Sequence, residues 1–338
     1  MYGAEPMRVA VLGTGRMGEL RARLLGADAE VVLAGGDAER TRRVADAVGA
    51  RAATVEEALG ERPDAVVIAS ATDRHPEHIR LAAALGVPVL CEKPLALTLD
   101  EARDAVEALA GVPAQIGFQR RFDPGLRALR AADVGTVYSV RITDRDASIS
   151  PEHFIPGSGG MFRDMHVHDF DLARWLTGRE VARVYATGTV RKHERYARHG
   201  DVDTAAIVLT MDDGVLITID GLRHDPRGQD VRVEIAGSED VVAAGYSDRT
   251  ALRGLDGWSP AAAGWESSWD RFADAFVAET EAFVGLARDG GEPPCSPADA
   301  IAALEVAVAC DRSRATGLPV DLCQSAGTSA ASASSREP

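Results

Sequence analysis

Along its first third the chain alternates short, unbroken apolar runs with amphipathic stretches. RVAVLG (8–13), EVVLAG (30–35), DAVVIAS (64–70), VPVLCE (87–92) and PAQIGF (113–118) are apolar and often rich in Val. Between them lie amphipathic segments such as HPEHIRLAAALG (75–86) and TLDEARDAVEALAG (98–111). Continuous apolar strands separated by helices predict a parallel sheet covered on both faces. Thr98 and Glu101 stand at the spacing of a capping box, which marks where the second of these helices begins.

From about residue 120 the runs lengthen and alternate. TVYSVRITDRD (136–146), DTAAIVLTM (203–211), GVLITIDG (214–221), DVRVEIAG (230–237) and DVVAAG (240–245) read as strands with few helices between them. Asp-Gly in MDDGV, between two of them, is a strong hairpin signal. The pattern predicts a largely antiparallel sheet in an α+β second domain. SPADAIAALEVAVACDRS (296–313) predicts a late helix, and the Ser/Ala-rich tail predicts disorder. The expected division is 7–119 for the first domain and 120–322 for the second, with disordered tails at 1–6 and 324–338.

Composition narrows the partners. The 338 residues are 46% hydrophobic and 26% charged, with a formal net charge of −15. That balance argues against a nucleic-acid or anionic-membrane partner, since phosphate contacts need clustered Lys and Arg. No apolar run approaches the roughly 20 residues that span a bilayer, and the start shows no basic segment followed by an apolar one. Cys91, Cys295, Cys310 and Cys323 show no CxxC or Cys/His spacing. A reduced, cytoplasmic chain without structural zinc is expected.

RVAVLGTGRMGELRARLL carries Gly13-x-Gly15-x-x-Gly18 directly after the first strand and at the opening of a helix. Gly13 allows the tight turn, Gly15 lets backbone approach a pyrophosphate, and Gly18 lets helix pack on strand. Unpaired N–H groups of the helix then face the phosphates. In this context the motif predicts a Rossmann fold that binds NAD or NADP through Gly13, Thr14, Gly15, Arg16, Met17 and Gly18. The acid that normally meets the adenosine ribose is missing: Gly35 and Gly36 stand there, with Asp37 two positions late. Either Asp37 reaches the ribose, or Arg40, Arg42 or Arg43 accepts a 2′-phosphate.

VLGTGRMG, SATDRHPEHIRLAAALGVPVLCEKPLALTLDEA, GFQRRFDP and SGGMFRDMHVHDFDLARWLTG occur in that order. Together they resemble the glucose-fructose oxidoreductase, inositol dehydrogenase and rhizopine-catabolism family (Gfo/Idh/MocA), from about Met7 to Leu322. Within it, the last two segments most resemble inositol 2-dehydrogenases. The resemblance implies a Rossmann domain and a C-terminal domain with an open sheet that often mediates homodimers or homotetramers. The late helix, 297–314, would pack back on the first domain. It further implies nicotinamide-dependent oxidation of a secondary alcohol on a polyol or sugar, or the reverse, with NAD slightly favoured. Lys93, Asp164 and His168 match the family's catalytic positions. Ser70, Thr72, His75 and Glu92 would join the cofactor set, and Asp73 stands where the family more often has Asn.

The chemistry of the residues agrees with this reading. Removing hydride from a carbinol carbon needs a base of near-neutral pKa for the hydroxyl proton, and His168 fits. On one helix Asp164, His168 and Asp171 would share a face, with the carboxylate orienting the imidazole. Lys93, at the end of a parallel strand, would stabilise alkoxide character. Asp171 would contact substrate, as would one of Arg120 and Arg121, for which surface or interdomain pairing is the equal alternative, and Asp146 and His153 are weaker candidates. His166 and Asp169 would turn away from that face, as supporting or surface groups. A metal held by Asp164, His168 and Asp171 is chemically conceivable, but the reaction needs none and no metal site is expected. The rival expectations are an enzyme of this family acting on another substrate, such as a nucleotide-linked keto sugar, and a nucleotide-binding regulatory protein with an inactive site.

Overall fold

The computed structural model describes residues 6–26, 29–257 and 259–322. Apart from Pro6, the two tails expected to be disordered lie outside the described residues.

Six strands form the first sheet: β1 (Met7–Leu12), β2 (Ala29–Ala34), β3 (Arg51–Ala53), β4 (Ala65–Ile68), β5 (Val89–Glu92) and β6 (Ala114–Gly117). All are parallel, in the order β3-β2-β1-β4-β5-β6. The order reverses between β1 and β4, and a crevice opens at the carboxyl ends of strands at such a point. Val9 to Leu12 and Ala65 to Ile68 are wholly buried, because helices cover both faces. The edge strand β3, only RAA, carries no apolar run and was not expected.

Seven strands form the second sheet: β7 (Val137–Arg145), β8 (Val181–Thr189), β9 (Thr204–Met211), β10 (Leu216–Leu222), β11 (Asp230–Gly237), β12 (Val241–Ala244) and β13 (Val320–Asp321). Their order is β12-β11-β7-β10-β9-β8-β13. Only β7 and β10 pair in parallel, so the sheet is largely antiparallel as expected. The Asp-Gly turn joins β9 to β10, with Gly214 at φ +92° and Met211 N–H donating to Val215 O at 2.9 Å. β8 was not expected from the sequence; a register shift between Val181 and Arg183 breaks its alternation.

One face of this sheet packs on the helices Val167–Thr177 and Pro297–Thr316, while Tyr185, Val208 and Leu216 stay exposed on the other. The late helix also reaches the first sheet's domain, where Arg103 meets Glu305 at 3.0 Å. A second long helix, Ala273–Asp289, was missed by the sequence reading and does the same through Glu279, whose carbonyl accepts from Gln115 Nε2 at 3.1 Å. Among the described residues no helix is long and apolar enough to cross a membrane.

Candidate active site

The glycine motif builds a cradle at the carboxyl end of β1. Gly13 has φ +128°, and a Cβ there would stand 2.2 Å from Ala69 O. A Cβ on Gly18 would meet Gly13 O at 1.8 Å, so helix and loop touch backbone to backbone. Gly15 faces open space, and the helix Arg16–Leu25 that follows has no side-chain cap. Its first N–H groups are therefore free to take an anion. These observations fit a dinucleotide's pyrophosphate. Met17 packs on the core, and Arg16 stacks over the Trp269 ring at 5.6 Å, which brings the C-terminal half against the cradle.

Beside the cradle, Arg40 Nε donates to Thr14 O at 3.0 Å. Asp37 caps the next helix, accepting from the N–H groups of Glu39 and Arg40. Gly36 faces open space. Across the crevice Ser70 Oγ lies 2.9 Å from His78 Nδ1, and Thr72 starts a short turn before His75. Both ring nitrogens of His75 lie against carbonyls, Pro94 O at 2.9 Å and Ser70 O at 3.1 Å. That locks the loop after β4 to the segment carrying Lys93. Glu92 accepts from Arg21 Nε at 2.8 Å and is a structural partner of the cradle helix.

Lys93 Nζ reaches across to Asp164, 2.6 Å from its carbonyl oxygen and 3.4 Å from Oδ1. Arg223 Nη1 donates to the other carboxylate oxygen at 2.8 Å. Burial works to raise the Asp164 carboxyl, but Lys93 and Arg223 outweigh it and hold it below the usual range. His168 lies edge-on to Phe118 with ring centroids 5.7 Å apart. Burial first, then Lys93 and Arg120, push its imidazole well below the usual histidine value. His168 is therefore neutral at physiological pH.

The expected single helix face does not form. One helix turn, Met161–Asp164, ends at Asp164, and the next helix starts at Val167. At the junction His166 N–H donates to Met161 O, a five-residue step. The angle per residue counted from Asp164 therefore does not carry through to His168 and Asp171. Asp164 is turned to Lys93 and Arg223 and makes no hydrogen bond to the imidazole it was expected to orient.

Asp171 and Arg120 also have other neighbours than expected. Asp171 forms a two-toothed pair with Arg121. Arg120 donates to Asp169 at 2.5 Å and to Asp144 at 2.7 Å. His166 Nδ1 lies 2.7 Å from Asp169 Oδ2. His166 and Asp169 are completely buried, which corrects the surface placement considered for them. Asp144, His166 and Asp169 bring possible ligand atoms within 4.8 Å of one another, the one such group among the described residues. Arg120 already supplies positive charge to both carboxylates. Burial raises Asp144 to about 7 and Asp169 to about 6, and lowers His166 to about 4. His153 is exposed, and Asp146 stands 3.9 Å from Arg223.

Arg223 was missed from the sequence, although a signal was present. In LITIDGLR, Ile217, Ile219 and Gly221 are buried, so continued alternation puts Arg223 on the inner face. An arginine there needs a buried acid. Arg21, fully buried between Glu92 and Glu279, had no comparable signal, since its partners come from distant segments.

Comparison with known proteins agrees with this geometry. Residues 7–118 match the oxidoreductase family with an NAD-binding Rossmann fold, and residues 126–243 match the GFO/IDH/MocA C-terminal domain. The chain is 38% identical over 323 residues to myo-inositol dehydrogenase Hyg17 of Streptomyces leeuwenhoekii, covering 92% of this chain and 98% of that one. It is 34% identical to inositol 2-dehydrogenase of Rhizobium meliloti, covering 91% and 96%. The solved structure of a myo-inositol dehydrogenase from Corynebacterium glutamicum superposes with a TM-score of 0.85 at 34% identity, covering 94% and 99%. GenD2 from gentamicin A biosynthesis, solved in complex with NAD, superposes with a TM-score of 0.81 at 29% identity, covering 96% and 98%. With the glycine cradle and both domains accounted for, the chain belongs to the GFO/IDH/MocA family of NAD(P)-dependent oxidoreductases.

Proposed function

We propose that this chain oxidises a secondary alcohol of a cyclic polyol or sugar, or reduces the matching ketone, with inositol 2-dehydrogenase-like activity. The observation that carries the reading is Lys93, at the carboxyl end of β5, reaching Asp164 while its charge also acts on the buried imidazole of His168. Relatives named for inositol oxidation, similar over nearly their whole length, support the substrate class.

When bound, the nicotinamide supplies a hydride acceptor or donor at its C4. The N–H groups after Gly15 would hold the pyrophosphate, and the loop containing Ser70, Thr72 and His75 would border the nicotinamide end. His168 accepts the proton of the reacting hydroxyl. Its Nδ1 is buried without a partner, so Nε2 is the nitrogen left for substrate. Burial holds the ring below the near-neutral value expected of the base, so it is unprotonated when substrate binds and its free lone pair accepts the proton only as Lys93 stabilises the alkoxide. Lys93 Nζ, aimed by the Asp164 carbonyl, hydrogen-bonds the same oxygen and stabilises alkoxide character. The Asp164 carboxylate accepts from a neighbouring ring hydroxyl and fixes which carbon faces the hydride acceptor. In the reductive direction the same groups return the proton.

The test is steady-state turnover of myo-inositol, scyllo-inositol and a panel of free sugars, each with NAD and with NADP. Reduced cofactor formed from an inositol supports the reading. No turnover of any free polyol or sugar, with turnover of a nucleotide-linked sugar, replaces it.

The exposed face bearing Tyr185, Val208 and Leu216 would be covered in a homodimer or homotetramer, which light scattering of the purified protein decides. The change from a parallel to a mixed sheet between β6 and β7 supports a domain division near residues 119 and 120. The unpaired buried thiols of Cys91, Cys295 and Cys310 favour a reducing, cytoplasmic setting.

A further inference from the structure

We propose that Arg223 is a positioning residue for the reaction, fixing the carboxylate of Asp164 through the oxygen opposite the one that Lys93 meets. This rests on Lys93, Asp164 and His168 being the catalytic set.

Arg223 follows β10 directly and is 2% exposed. The end of β10 forms a platform under the break between the two helices. A Cβ on Gly221 would lie 2.2 Å from the His166 ring, so only glycine admits that histidine. Two residues on, Arg223 Nη1 donates to Asp164 Oδ2 at 2.8 Å, and Nη2 stands 3.5 Å from Asp201 Oδ2. Asp201 in turn accepts, through Oδ1, from the N–H of Met161 at 2.9 Å. One guanidinium therefore bonds the last residue of the turn Met161–Asp164 directly, and stands at ion-pair distance, without a hydrogen bond, from the Asp201 that takes the turn's first N–H.

The arginine itself is pinned. Its N–H donates to Asp203 O at 2.9 Å, and its guanidinium lies 5.6 Å from the centroid of the Tyr196 ring. Asp203 is fixed by accepting from the N–H groups of Arg191, Lys192 and His193. A planar fork with several donors can span two carboxylates in this way, whereas a single ammonium cannot. The charged groups facing Asp164 are Lys93 at the end of β5, Arg223 after β10 and Asp146 after β7, with Asp201 behind Arg223. Removing Arg223 leaves Lys93 as the cation on Asp164, while the turn itself stays held by Asp201 at the Met161 N–H and by Arg163 on Asp311.

The experiment compares Arg223→Gln and Arg223→Lys with the native enzyme, and with Lys93→Ala and His168→Ala. The substrate is the inositol that turns over best, with its better cofactor. Arg223→Gln is expected to lower kcat/KM for the inositol roughly a hundredfold. Dinucleotide KM should stay within about twofold, because the cradle lies on the other sheet. The acid limb of kcat/KM should move to higher pH, since Asp164 keeps only one of the two cations that hold its carboxyl low. Arg223→Lys should restore the acid limb and recover only part of kcat/KM.

An equal loss at every pH, or a parallel loss of dinucleotide affinity, makes Arg223 a purely structural residue and overturns the proposal. Native kcat/KM in either variant also overturns it. If Arg223→Gln does not fold, as judged by its thermal melt, Arg223→Lys decides: reduced kcat/KM with native dinucleotide KM supports the proposal. Near-normal turnover in Lys93→Ala or His168→Ala sinks the site reading itself. Loss of turnover in those two with an unshifted Arg223→Gln profile sinks only the role of Arg223.

Discussion

Asp171 meets Arg121 through both carboxylate oxygens, at 2.5 and 2.9 Å, in a pair that is almost fully buried. Arg121 follows the last strand of the first sheet and also donates to Pro294 O at 3.0 Å, so the pair ties three segments together. Arg121 Nη2 also lies 3.0 Å from Asp299 Oδ1, so removing Asp171 leaves the guanidinium one acid and costs less than the about 3–5 kcal/mol of a fully stranded buried charge. Asp171→Asn should therefore lower the thermal midpoint while leaving KM for the polyol close to native in protein that remains folded. Calorimetry and steady-state kinetics on the same preparation check this. A native melting profile with a raised KM would return Asp171 to the substrate contacts.

Lys93 and His168 should show the opposite balance. Lys93→Ala and His168→Ala are expected to lower kcat by about 10²–10⁴, the range of a lost acid–base or electrostatic group. NADH or NADPH binding, followed by fluorescence titration, should persist because neither residue touches the glycine cradle. Turnover within tenfold of native in either variant would refute the assigned role.

Cofactor choice turns on the missing acid after β2. Gly36 faces open space, so Asp is accommodated there without a clash. A carboxylate at this place accepts from the ribose diol and repels a 2′-phosphate. Gly36→Asp should shift the ratio of kcat/KM for NAD over NADP at least about tenfold toward NAD, equivalent to roughly 1.4 kcal/mol. An unchanged ratio would mean that the ribose lies elsewhere.

His166 gives a pH signature separable from activity. Burial lowers its pKa from 6.5 to about 4, so the unfolded chain binds a proton in that window that the folded chain does not. The stability contributed by the neutral ring is fully present above pH 6.5 and is lost as pH falls from 6.5 toward 4. His166→Asn keeps a donor for Asp169 but cannot titrate. Its unfolding free energy should fall less steeply than native across that window, by on the order of 1.4 kcal/mol per pH unit. Denaturant melts at several pH values measure the two slopes, and parallel slopes would contradict the buried neutral ring.

Much of the fold was visible in local patterns. Five of the six parallel strands announce themselves as apolar runs because helices bury both their faces, whereas β3 is a polar edge and gives no such run. The alternating strands of the second sheet were legible because only one of its faces is buried, until a register shift hid β8. Glycine spacing fixed the cradle, since Gly13 and Gly18 respond to backbone contacts within one turn of chain. The helix Ala273–Asp289 escaped notice, and with it the Glu279 partner of Arg21.

The sequence by itself determined the two kinds of sheet, the dinucleotide cradle and the set of polar residues from which the site is drawn, because each depends on spacing along the chain. Only the tertiary structure decided which of those residues meet. A helix break after Asp164 turned that carboxylate to Lys93 and Arg223, while Arg121 took Asp171 and Arg120 took Asp169. A buried charge must find its counterion wherever the fold supplies one. Here the counterions lie 49 to 71 residues away along the chain, a distance that helical periodicity does not reach.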